Sequence, residues 1–323
     1  MKRLLLPLQA TLTLAVLVVV VRRVDVHAAA ASVRHASPAW LAVALAMNLL
    51  AISLSALLWA RLMPGRKSGY ARLWRLYVTG LFYNNLGLGT VLGDGFRYAE
   101  LRRTGEDPSR SAASVLGERL ISGAALLVLA ALGSLYFVRS RPLVPAAVWG
   151  GVAACLTAVA LAMHILPRLS SRVVFPARLR AEAAGVRHAA RDLAGRRPIV
   201  STAFILACGV QCCTILATFF LVRALGVGVG PLACFAVVPV IALAVLLPIS
   251  IQGIGVREAS YILLLGFIGV TREQALSAAM LSYVTTLAIT TIGGVCALAS
   301  MYSRDSTRRA TSAPAPAPLA QPE

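Results

Sequence analysis

No stretch of this sequence stays polar for long enough to fold into a second core in water. Only 13% of its 323 residues are charged, against 59% hydrophobic. A soluble domain carries about a quarter charged residues, so a mean hydropathy of +0.79 describes an all-α polytopic integral membrane protein. Acidic residues are the scarcer sign: 12 Asp and Glu stand against 31 Lys and Arg, for a net charge of +19. In a soluble chain that excess would point to nucleic acid. In a membrane protein it reads as the Lys and Arg of cytoplasmic loops, so no nucleic-acid partner is expected. A basic inner face also attracts anionic lipid headgroups.

Metal and catalytic patterns are missing as well. The six cysteines (Cys155, Cys208, Cys212, Cys213, Cys234, Cys296) lie inside apolar stretches and imply no disulfide framework. None of His27, His35, His164 or His188 stands at a spacing that completes a zinc site with Cys208 and Cys212. There is no nucleophile elbow, HExxH, Walker A or dinucleotide fingerprint. No metal, no cofactor and no enzymatic activity are expected, although Asp94, Glu100 and Glu118 have acid–base chemistry.

What the sequence has is apolar runs. Residues 1–3, Met-Lys-Arg, followed by apolar 4–21, resemble a signal peptide with a small-residue region at 28–31. The apolar core is long for that role and reaches about 27 Å as a helix, so it is read as the first span. Further spans are expected at 39–60, 115–138, 143–165, 199–222 and 277–300, each long enough to cross with some tilt.

Two further apolar stretches are interrupted. Residues 76–92 carry Asn84, Asn85, Gly87, Gly89 and Gly93, while 231–248 carry Pro231, Pro239 and Pro248, and both are expected to make poor continuous helices. If both cross, giving eight full spans with the N-terminus inside, 13 Lys and Arg fall inside and 18 outside. If each folds back as a re-entrant hairpin, 76–92 returning through 95–110 and 231–248 through 251–268, 23 fall inside and 8 outside. The second arrangement satisfies the positive-inside rule and places both termini in the cytoplasm of an inner-membrane protein. It also makes the unit span, hairpin, span occur twice in opposite orientation, as 39–60 to 115–138 and 199–222 to 277–300. Inverted repeats with broken helices meeting near the midplane are a construction of secondary transporters.

The two hairpins share G-x-G-[FV]-R-x-A, as Gly93-Asp94-Gly95-Phe96-Arg97-Tyr98-Ala99 and Gly253-Ile254-Gly255-Val256-Arg257-Glu258-Ala259. Irregular backbone at membrane depth needs cover from protein or water, so Asn84, Asn85, Ser250 and Gln252 are expected to line the interior, bonding either freed backbone groups or a ligand. Arg97 and Arg257 follow the breaks. Asp94 and Glu100 flank Arg97 at i−3 and i+3 on one helical face, and Glu258 adjoins Arg257. These pairs either close each hairpin internally or leave the guanidinium groups to bind a lipid phosphate bidentately. Glu118 and Arg119 open the third span and can pair across to the first hairpin. Ser282, Thr285, Thr286 and Thr290 form a hydroxyl stripe expected to face the bundle.

The loop 168–197 is rich in arginine, and its apolar residues recur at helical spacing. It reads either as a plain basic loop or as an amphipathic helix on the inner leaflet. Residues 301–323 alternate Ala and Pro towards their end and are expected to form a disordered tail, leaving 1–300 as the membrane domain.

Three stretches resemble the flippase-like membrane domain of the lysylphosphatidylglycerol synthase family. They are Asn84-Asn85 through Gly93-Asp94-Gly95-Phe96-Arg97, residues 114–120 (SVLGERL), and residues 247–258 (LPISIQGIGVRE), the last being the most specific. The chain departs from the family pattern at Gly87-Leu88-Gly89, where proline is common. The resemblance implies movement of a phosphate-bearing lipid between leaflets, either a phospholipid or a polyprenyl-phosphate glycolipid. It also implies anionic membrane lipids as partners; with only the tail 301–323 after the membrane domain, no attached synthase domain is expected. A non-transporting partner of a cell-envelope glycosyltransferase or lipid-modifying enzyme is the alternative.

Overall fold

The computed structural model describes residues 31–63, 68–86, 91–137, 149–150, 153, 157, 185, 188–189, 191–246 and 253–312. The expected span at 4–21, nearly all of 143–165 and most of the 168–197 loop lie outside them. So do Gly87, Gly89, Ser250 and Gln252.

The described elements are helices: α1 (Pro38–Arg61), α2 (Tyr70–Leu86), α3 (Val91–Arg103), α4 (Pro108–Ser134, extended by a 3-10 turn at Leu135–Phe137), α5 (Arg197–Ala224), α6 (Pro231–Leu246), α7 (Val256–Gly266) and α8 (Arg272–Ser312). Four are long and apolar enough to cross a membrane: Pro38–Arg61, Pro108–Phe137, Arg197–Ala224 and Arg272–Cys296. They coincide with four of the six expected spans. Proline in the first turn starts α1, α4 and α5, where its missing N–H has no intrahelical partner to lose. At α4 the Asp107 carboxylate also accepts from the Arg110 N–H at 2.7 Å, a helix N-cap.

The most extensive helix contact is the antiparallel pair α1 and α5. At one end the Ser37 N–H donates to the Ala224 carbonyl at 2.9 Å. At the other, Leu58 and Leu62 pack with Ala203 and Ala207. Ala44, Ala203 and Ala207 are fully buried, and their small side chains let the two backbones approach where lipid gives no hydrophobic drive.

On this pair sit two helical hairpins that open towards opposite ends of the bundle. In the first, α2 and α3 meet at their open end, where Leu73 and Leu101 are buried together with Trp59 and Met63 of the α1 end and Val115 near the α4 start. There the Ser68 N–H also donates to Glu106 at 3.3 Å. In the second, α6 and α7 open where Cys234 and Leu265 pack with Phe137 and Val222, the ends of α4 and α5.

Each hairpin packs against the outer span of the other unit: α8 lies on α2, and α6 on α4. Gly293 faces the Val78 carbonyl, and Gly133 faces the Phe235 carbonyl, so closely that any Cβ would collide with backbone. The same spacing in sequence separates Gly133 from Gly293, Arg97 from Arg257 and Pro38 from Pro198. The repeat therefore extends from the shared motif to the contacts between units.

Two expectations change. Residues 231–246 form one helix with Pro239 inside it. That proline cannot bond the Phe235 carbonyl four residues back, and this carbonyl is the one Gly133 covers. Similarly, 76–86 lie in an unbroken α2. The last helix runs to Ser312.

Candidate functional site

The first hairpin contains a closed network of charges. Arg97, on α3, is 2% exposed. Its Nη1 donates to Glu118 Oε2 on α4 at 2.7 Å, and its Nη2 to Asp94 Oδ1 at 2.7 Å. Arg119 forks the same Asp94, Nε to Oδ2 at 3.1 Å and Nη2 to Oδ1 at 2.8 Å. Tyr77 of α2 donates its hydroxyl to the second Glu118 oxygen at 2.8 Å. The Arg97 guanidinium also lies over the rings of Trp59 and Tyr77, 4.8 Å from each centroid.

Two arginines and two carboxylates sum to no net charge, and each buried charge has an opposite partner. Burial at such depth is tolerated only under that condition. Gly80 makes room for it: a Cβ there would stand 3.1 Å from Arg97 Cγ.

The second hairpin repeats the arginine without the network. Where the first unit has Asp94, Glu118 and Arg119, the same spacing finds Ile254, Ala278 and Ala279. Arg257 is half-buried in the first turn of α7, its guanidinium over the Tyr283 ring at 5.4 Å. Among the described residues no carboxylate lies within ion-pair distance of it. Glu258, expected beside it as a counter-charge, instead accepts the Gly255 N–H at 2.6 Å and caps α7.

The other expected residues divide. Asn84 accepts the Gly93 N–H at 2.7 Å, and Asn85 donates to Thr290 at 2.7 Å, so both tie broken backbone or neighbouring helices together. Glu100 does not bridge to Arg97 and approaches Arg103 at 3.9 Å. Gly253 and Gly255 have φ of +75° and +83°, which L side chains rarely adopt. Gly93 and Gly95 occupy the matching positions but lie inside α3, so they are not the hairpin break. Of the hydroxyl stripe, Thr285 and Thr290 are buried, and Thr286 is exposed.

Arg97 and Arg257 do not share one environment: α3 packs on α2 and α4, and α7 on α6 and α8. Trp59 and Tyr77 were missed in the sequence. Tyr77, Gly80 and Asn84 recur at helical spacing on one face, a signal that could have found the tyrosine.

Apolar helices of spanning length around a closed charge network define a multi-pass membrane protein. The chain belongs to the lysylphosphatidylglycerol synthase TM region family, whose model matches residues 7–294. Both hairpins and all three stretches noted in the sequence fall inside that range. No curated protein matches the chain.

Proposed function

We propose that the protein moves a phosphate-bearing lipid headgroup between the leaflets of the inner membrane, and that Arg257 is the residue that holds the phosphate. The observation carrying this reading is the contrast between the two matching arginines. Arg97 is neutralised twice over, whereas Arg257 is half-buried, lies over Tyr283 and has no carboxylate partner among the described residues. A guanidinium fork free of carboxylate suits a phosphate. Arg97 then acts as a positioning residue that locks the first hairpin to α4.

In this reading both hairpins are re-entrant and enter from opposite faces. One end of the bundle carries Arg61, Arg72, Arg102, Arg103, Arg110 and Arg197, and the other carries Arg34, Arg223 and Arg272. The basic end is the cytoplasmic one by the positive-inside rule.

The test is translocation of headgroup-labelled phosphatidylglycerol in proteoliposomes. Arg257→Ala should lower the rate about tenfold or more, as expected for loss of a charge-assisted contact. Arg257→Lys should keep part of it. Wild-type rates in Arg257→Ala would remove Arg257 from the site, and no movement of any phosphate-bearing lipid by the wild type would remove the transport reading.

A further inference from the structure

A cleft lies where α1 starts and α5 ends, away from both hairpin arginines. It is an open cleft of about 580 Å³ between the start of α1 and the end of α5, and His35, Ser37, Trp40, Arg223, Leu225 and Gly226 are among its walls. That volume is within the usual range of ligand pockets, about 300–1,000 Å³.

Its polar groups are of one kind. Arg223 is exposed, with its guanidinium 5.8 Å from the Trp40 ring centroid. A guanidinium near an aromatic ring still carries N–H donors on its edge, and among the described residues no carboxylate pairs with it. Trp40 is itself stacked on Phe220, centroids 5.5 Å apart and planes 12° from parallel, which fixes the surface Arg223 rests on. Ser37 is the N-cap of α1, yet its hydroxyl makes no cap bond. His35 is exposed beside it. Among the described residues no Asp or Glu lines the cleft.

The carbonyls that end α5 would repel an anion, but they are engaged. Val222 accepts from the Leu225 and Val227 N–H groups, Arg223 accepts from Gly226, and Ala224 accepts from Ser37.

We propose that this cavity is a phosphate-binding subsite, with Arg223 as its principal ligand and Ser37 and His35 as secondary donors. Tryptophan and arginine at the ends of spanning helices mark headgroup depth. The phosphate is therefore that of a lipid headgroup in the nearby leaflet or a free phosphate at the same depth, since both present the same oxygens. The subsite is separate from Arg257 and does not depend on transport.

The experiment is native mass spectrometry of the full chain in detergent, titrated with short-chain phosphatidylglycerol, with short-chain diacylglycerol and with inorganic phosphate. It is run on the wild type and on an Arg257→Ala background in which only this cavity is titrated. Arg223→Gln should weaken phosphatidylglycerol binding about tenfold or more, Arg223→Lys should recover part of it, and diacylglycerol should not bind. Inorganic phosphate binding with the same Arg223 dependence assigns the site to phosphate alone. Binding of phosphatidylglycerol but not of inorganic phosphate assigns it to the lipid. Binding within twofold of the background protein in Arg223→Gln, or diacylglycerol binding as tightly as phosphatidylglycerol, overturns the proposal. Should Arg223→Gln not fold, the Arg223→Lys and Ser37→Ala titrations decide, and no weakening in either also overturns it.

Discussion

A guanidinium buried away from water is stable only if its charge is met, and Arg97 is met by two carboxylates and two aromatic faces. Breaking such a pair from one side leaves the other charge unpaired. Glu118→Leu or Arg97→Met alone should therefore destabilise the protein by about 3–5 kcal/mol. The double variant should cost less than the two singles together, because it leaves Asp94 with Arg119. Thermal unfolding in detergent measures this, and additive losses would show that the pair is not coupled. Tyr77→Phe should lose the bond to Glu118 and about 1.5–3 kcal/mol, with its ring packing kept. Much of this knot was legible in the chain, since Asp94 and Arg97 are three apart on one face. The Tyr77 contribution was not, because it depends on how α2 and α4 are rotated against each other.

Among the elements, the two hairpins use one sequence pattern in two conformations. Gly93 and Gly95 lie within a helix, while Gly253 and Gly255 lie before one at positive φ. Their substitutions should differ accordingly. Gly93→Ala drives a Cβ into the Gly80 carbonyl and the Asn84 amide, and should cost about 1–3 kcal/mol. At Gly95, in open space and helical, alanine should be neutral or stabilising by up to about 1 kcal/mol. Gly253→Ala meets both the strained φ and the Val245 side chain at 2.7 Å, and should lower the melting temperature clearly. Equal effects of Gly93→Ala and Gly95→Ala would contradict the helix contact between α2 and α3. Between the units, Gly133→Val and Gly293→Val should each loosen one outer span from the opposite hairpin, seen as a lower melting temperature, because a backbone carbonyl cannot move aside as a side chain can.

For the whole molecule, orientation follows from which basic residues the fold collects at one end. Arg102→Cys, at the basic end, should react with a membrane-impermeant thiol reagent only after cells are opened. Gly228→Cys, exposed at the other end, should react in intact cells, and the reverse pattern would invert the proposed topology.

Composition and apolar run lengths by themselves determined a helical membrane protein and the positions of α1, α4, α5 and α8, because twenty or so apolar residues have few other places to go. The tertiary structure alone decided that Pro239 stays inside a helix, that Glu258 caps α7 and leaves Arg257 without a counter-charge among the described residues, and that Arg97 and Arg257 belong to separate surroundings. Each of these depends on what lies opposite a residue on another helix. Local sequence carries a residue's periodicity and charge, whereas its partner is set by packing across the bundle.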